Sequence, residues 1–214
     1  MTALKTTCML VVAIFFMSGA VFPADKATDD TVKREKFSFK VPAGWSMIPQ
    51  KDIDAIYQSQ KEVAVRAKRD IPVMDCGLRL DLSKDYPRIL VAINTAGQMS
   101  EDMFRQVGAI EWKTGADKGA KQADDLAPQI ASVKVGEWKY DRKKRIIWAR
   151  TDAQVDGFGS VKGISALELT ATGYILIGYM AEEKDFEKHL ATFLSFVYSF
   201  ALDKSIEYKA GKSQ

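Results

Sequence analysis

The segment that most restricts the fold is residues 174–180, YILIGYM. Read as a strand, it puts Tyr174, Leu176 and Met180 on one face and Ile175, Ile177 and Tyr179 on the other. Both faces are apolar, so both need cover. The neighbouring runs are joined by short turns, which makes the sheet antiparallel. Helices must supply the cover. The expected class is α+β: a central antiparallel meander sandwiched between helices, an α/β/α arrangement.

The rest of the last third agrees. Val133 and Val135 lead into Trp138 and Tyr140, and the change of parity at Gly136 predicts a β-bulge that keeps all four on one face. Asp141 opens a turn through Lys144, and residues 146–149 return. Residues 156–159 (DGFG) make a second turn, and residues 161–170 pair with 174–180 across 171–173. A helix over 182–198 closes the domain. Its stripe is Phe186, Leu190, Phe193, Leu194 and Val197, with Glu182, Glu183 and Asp185 in the first turn, where carboxylates suit the helix dipole.

Upstream, residues 37–41 (FSFKV) alternate as a strand with Phe37, Phe39 and Val41 inward. Pro42 to Gly44 ends it, and Trp45 folds back onto it. A helical pattern starts near Gln50 with Ile53, Ile56 and Tyr57; beyond Gln60, the run 63–67 (VAVRA) reads equally as helix or strand. Residues 76–82 (CGLRLDL) alternate, with Cys76, Leu78, Leu80 and Leu82 on one side and Arg79 and Asp81 on the other. Residues 88–94 (RILVAIN) read as a central strand buried on both faces. Ser100 is placed to cap a helix carrying Met103, Phe104 and Val107 and ending near Gly108. Residues 112–131 read as an exposed loop with a short helix after Ala120.

The N-terminus sets the compartment. Residues 1–24 read as a secretory signal peptide: Lys5, an apolar run over 10–17, then Ser18, Gly19 and Ala20, with cleavage after Ala20 or Ala24. The apolar stretch is shorter than the roughly 18–20 residues of a membrane span, which makes a retained membrane anchor the minority reading. Cys8 precedes that run, which excludes acylation of the lipoprotein kind. The expected organisation is a signal peptide (1–24), a flexible leader (25–36), one domain (37–200) and a polar tail (201–214). The formal charge of +3 falls to about +2 without the signal peptide's Lys5, too balanced for a dedicated polyanion or nucleic-acid binder. Cys76 alone follows the signal, so stability rests on the core, and the thiol is expected to be buried.

The two ends of the domain resemble a known family. The stretch from Phe37 to Trp45 (FSFKVPAGW) is similar to the opening strand and Pro-x-Gly-Trp turn of PsbP-like domains. Tyr174 to Tyr179, then Asp185-Phe186, Phe193 and Ser199-Phe200, resembles their last strand and closing helix. The resemblance implies a PsbP-like α/β/α sandwich, and a binding or assembly protein rather than an enzyme.

Chemistry is sparse. His189 is the single histidine, so a histidine metal cluster is excluded and a triad would have to use it; its place on the closing helix favours a structural role. Asp152 to Gly157 has part of a calcium loop's spacing but lacks its distal Glu and reads as a hairpin turn. Residues 115–121 (GADKGAK) miss the spacing of a phosphate loop, with Gln122 where Ser or Thr belongs. No cofactor is implied. A hydrolase working with carboxylates would draw on Asp75, Asp81, Asp85, Asp152 and Asp156, which show no pairing in sequence. A small apolar-ligand carrier is a further alternative. The best surface feature is the basic cluster Lys139, Arg142, Lys143, Lys144 and Arg145, flanked by Trp138, Tyr140 and Trp148. It suits an anionic partner, whether acidic protein, lipid headgroup or polysaccharide; the plainer reading is a solvated hairpin tip. The function expected is an exported, non-enzymatic binding or assembly protein of the envelope.

Overall fold

The computed structural model describes residues 31–66, 70–95, 97–106 and 130–209. The expected signal peptide, Val107, the expected loop over 112–129 with its rejected phosphate-loop stretch, and the end of the expected tail lie outside the described residues.

Seven strands form one antiparallel sheet. β3 (Ser46–Met47), β4 (Val73–Arg79) and β5 (Arg88–Asn94) lie on one side. The meander β6 (Ile130–Asp141), β7 (Ile146–Val155), β8 (Gly159–Thr170) and β9 (Gly173–Glu182) completes it, in the order β3-β4-β5-β9-β8-β7-β6. Long-range pairing of β9 with β5, Ile93 opposite Ile175 and Ala92 opposite Leu176, puts the most apolar strands at the centre. Gly173 is required where β9 starts: at φ 153° a Cβ there would collide with the Asn94 carbonyl oxygen.

The two faces of β9 enter separate cores, as its pattern predicts. Tyr174, Leu176 and Met180 pack with Ile53, Ile56 and Val63 of helix α1 (Gln50–Arg66), and with Met99 and Phe104 of the segment 97–106. Ile175, Ile177 and Tyr179 pack with Phe186, Phe193, Phe196 and Val197 of helix α2 (Glu183–Ser199). Phe37 and Phe39 join this second core from β2 (Phe37–Lys40), the centre of a small antiparallel sheet with β1 (Thr31–Lys33) and β10 (Ala201–Leu202). The fold is therefore the α+β class read from the sequence, with a small sheet added to the α2 layer.

Several local expectations are met. The register shift between Val135 and Trp138 is the bulge at Gly136. Ser100 caps its helix, its Oγ accepting from the Met103 N–H at 3.1 Å. Cys76 is fully buried, and desolvation, with the Asp75 charge beside it, pushes its thiol up to about 12.

Others need correction. The helical spacing of Ile53, Ile56, Gln60 and Val63 continues to the end of α1, so the strand reading fails for residues 63–66, and Ala67 lies outside the described residues. Residues 76–82 are not one strand: β4 ends at Arg79, and Asp81 turns the chain by accepting from the Ser83 N–H at 2.9 Å. Leu82 thus enters the α1-side core while Cys76 and Leu78 face α2. Met103 is exposed, leaving Phe104 as the buried residue of its turn. Ile130 opens β6 instead of ending a loop. Finally, residues 31–33 of the expected leader pair with β2, and the expected tail contributes β10 and a buried Ile206.

Candidate anion-binding tip

The β6–β7 turn is held by one carboxylate. Asp141 Oδ1 accepts from the N–H groups of Lys143 (2.9 Å) and Lys144 (3.1 Å). This is the Asx geometry that makes Asp favourable at the first turn position. With Asp141 engaged inward, Arg142, Lys143 and Lys144 are all exposed at the apex.

Arg145 behaves differently. It takes a left-handed backbone, φ 53°, and its carbonyl accepts from the Leu169 N–H at 3.2 Å. Its Nε meets Glu101 Oε2 at 3.3 Å, and its guanidinium lies 5.3 Å over the Tyr208 ring. Glu101 also accepts from the Tyr140 hydroxyl at 2.7 Å, and its own N–H donates to the Tyr208 hydroxyl at 3.1 Å. The Tyr140 hydrogen bond, then Arg145, hold the Glu101 carboxyl below its ordinary range. Of the five predicted cations, then, three share the apex, Lys139 stands exposed on β6, and Arg145 is tied into the base.

Two groups at the site escaped the sequence reading. Glu101 was visible only as a first-turn carboxylate, because its partners are 39 and 44 residues away. Glu168 lies half-buried on β8 between Ile146 and Ile175. Burial pushes its carboxyl up to about 7, against the charge of Lys144. A lone acid inside the apolar alternation of 164–170 is the signal that could have marked it.

The carboxylates considered for hydrolysis are dispersed. Asp75 pairs with Arg34 (3.5 Å), Asp85 with Arg79 (3.4 Å) and Asp81 with Lys84 (3.6 Å). Asp152 stands opposite Lys162 and Lys134 in the sheet, and Asp156 lies in the β7–β8 turn. Among the described residues, no group of three or more His, Cys, Asp or Glu could hold a metal ion. His189 packs edge-on against Trp45 at 6.1 Å. No helix among the described residues is long and apolar enough to cross a membrane.

Fold and tip together define an α+β sandwich protein with a charged hairpin apex. No family model matches the chain, and no curated protein matches it. Among solved structures it is similar to the cyanobacterial PsbP protein CyanoP from Synechocystis sp. PCC 6803, at 13% sequence identity and a TM-score of 0.47. The match covers 86% of this chain and 98% of that one. At this identity the likeness is one of architecture alone.

Proposed function

We propose that this chain is an exported, non-enzymatic binding or assembly protein of the envelope, and that its β6–β7 tip meets an anionic partner. The observation that carries the reading is the Asp141 cap, which presents Arg142, Lys143 and Lys144 to solvent on a hydrogen-bonded turn. A preformed cluster loses less entropy on binding than three cations on a floppy loop. The cleft beside Arg150 is lined largely by charged side chains, and Glu35, Lys36 and Asp75 make up half the lining of the cleft beside Asp75, which favours surface recognition over an apolar-ligand carrier.

The test is retention of the purified chain on immobilised polyuronate, on polyphosphate and on anionic vesicles. At least one should retain it in a salt-sensitive way. The triple variant Arg142→Gln, Lys143→Gln, Lys144→Gln should weaken that retention more than tenfold, at unchanged melting temperature. Retention equal to the parent's, or none of the parent on any surface, would remove the reading. Export is tested separately by N-terminal sequencing: the processed chain should begin at Val21 or Asp25, and an intact Met1 in the envelope fraction would contradict it.

A further inference from the structure

The face beside α2 extends the tip into a strip. Directly opposed residues of an antiparallel pair share a face. Lys139 stands opposite Trp148. Trp148 packs against two α2 rings, Phe193 at 6.3 Å and Tyr198 at 6.4 Å. Lys139 therefore lies on the α2 face, beside the Trp148–Tyr198 pair. Arg150, two residues on, shares that face; its guanidinium is 6.0 Å over the Phe186 ring, at the wall of a cleft of about 300 Å³. From the apex at Lys144 to Arg150 the strand covers about 20 Å.

This order of groups selects a ligand chemistry. Cations stand at both ends and beside the middle, and an aromatic pair lies between them. Tyr198 is 54% exposed, although a tyrosine on an amphipathic helix could have been turned inward. Half-exposed rings offer flat apolar area with little entropy to lose, which suits the ring faces of sugars. Flanking Lys and Arg suit carboxylates carried on those sugars. A membrane fits less well: apex positions 141–144 carry no apolar side chain to insert, and the rings are set back along β7. An extended acidic peptide would bind a strand edge, whereas these rings lie on a face. Glu137, Asp152 and Glu187 line the same cleft as Arg150 and would repel a further carboxylate, so the strip ends at Arg150.

We propose that this strip, from the tip past Lys139, Trp148 and Tyr198 to Arg150, binds an acidic polysaccharide: the balanced net charge argues against a polyanion held over the whole surface, and the cations are concentrated locally here. Sugar rings stack on the Trp148–Tyr198 pair while carboxylates pair with Lys139, Arg150 and the apex. The inference rests on the tip reading but is tested apart from it. The probes are polygalacturonate oligomers, neutral dextran, polyglutamate and phosphatidylglycerol vesicles, titrated against the purified parent chain, Tyr198→Ser, Lys139→Gln and the triple tip variant. Polygalacturonate should bind the parent more tightly than the other three probes. Tyr198→Ser, at an exposed site that leaves the core intact, should weaken it about tenfold, near the worth of one stacking contact, and Lys139→Gln several-fold. Three results overturn the proposal: no binding of polygalacturonate, tighter binding of vesicles, polyglutamate or dextran, or a Tyr198→Ser chain that binds like the parent. If the triple variant alone loses binding, the tip reading stands and the strip falls. If no variant matters, both fall.

Discussion

Two arginines show how far residue-scale logic departs from simple alternation. Arg79 and Arg88 stand opposite each other in β4 and β5, 1% and 0% exposed, on the α1 side of the sheet. The strand pattern puts Arg79 on the face away from Leu78, but that face is covered by α1 and not by water. Asp85 (3.4 Å from Arg79), and the Tyr86 ring under Arg88 at 4.9 Å, supply company. Burial, and then the Arg88 charge, still lower the Arg79 pKa from its ordinary value. Glu168 is the converse case, and it yields a prediction. Its folded pKa, about 7, is above its unfolded value. The folded chain therefore holds the proton more tightly. Stability is fully present below about pH 4.5, declines as pH rises through about 7 and then levels off, with a total loss on the order of 3 kcal/mol. Glu168→Gln should flatten the pH 5–8 limb of denaturant-measured stability. An unchanged slope in that variant would show that Glu168 is not the group responsible.

At the scale of elements, α2 couples the two sheets. Phe193 and Phe186 stack on Tyr179 at 5.4 and 5.2 Å, and Phe196 meets Phe39 of the small sheet at 5.0 Å. The helix stripe read from spacing included Leu190 and Leu194, which are half-buried, and omitted Phe196, which is fully buried. The stripe is wider than one row because α2 serves the main sheet on one side and β2 on the other. A rank order follows. Phe193→Ala should cost about 3–5 kcal/mol, as for a buried aromatic, and Leu194→Ala clearly less. Equal losses in urea unfolding would mean that Leu194 is as much core as its neighbour. What the sequence disclosed here was periodicity: β9's two apolar faces, the bulge at Gly136 and the cap at Ser100 are local patterns that need no knowledge of the fold. What it hid were partnerships across long loops. Nothing near Glu101 in the chain announces Tyr140, Arg145 or Tyr208, and nothing in the alternation of 76–82 shows that the chain turns after Arg79.

Across the whole molecule, the segment after α2 acts as a seam, not a tail. Ala201 and Leu202 pair with β2, and the Asp203 N–H donates to the Lys36 carbonyl at 2.8 Å. The Ala171 N–H then donates to the Ile206 carbonyl at 2.8 Å, Thr170 bridges Glu207, and Tyr208 reaches Glu101 and Arg145. One short stretch thus joins the small sheet, the end of β8, the 97–106 segment and the base of the tip. Composition concealed this because the stretch is mostly polar, and one apolar side chain, Ile206, supplies its fully buried anchor. Removing residues 201–214 should therefore lower the melting temperature by roughly 5–10 °C, from a loss of about 2–3 kcal/mol in a domain of this size. Ile206→Ala alone should account for much of that, since it empties the anchor while leaving the backbone pairings available. Tyr208→Phe should change the melting temperature little, because the ring still underlies Arg145 and only the hydroxyl contact with Glu101 is lost. A truncated chain that melts with the parent would show that the seam contributes nothing to the stability of the two sheets it joins.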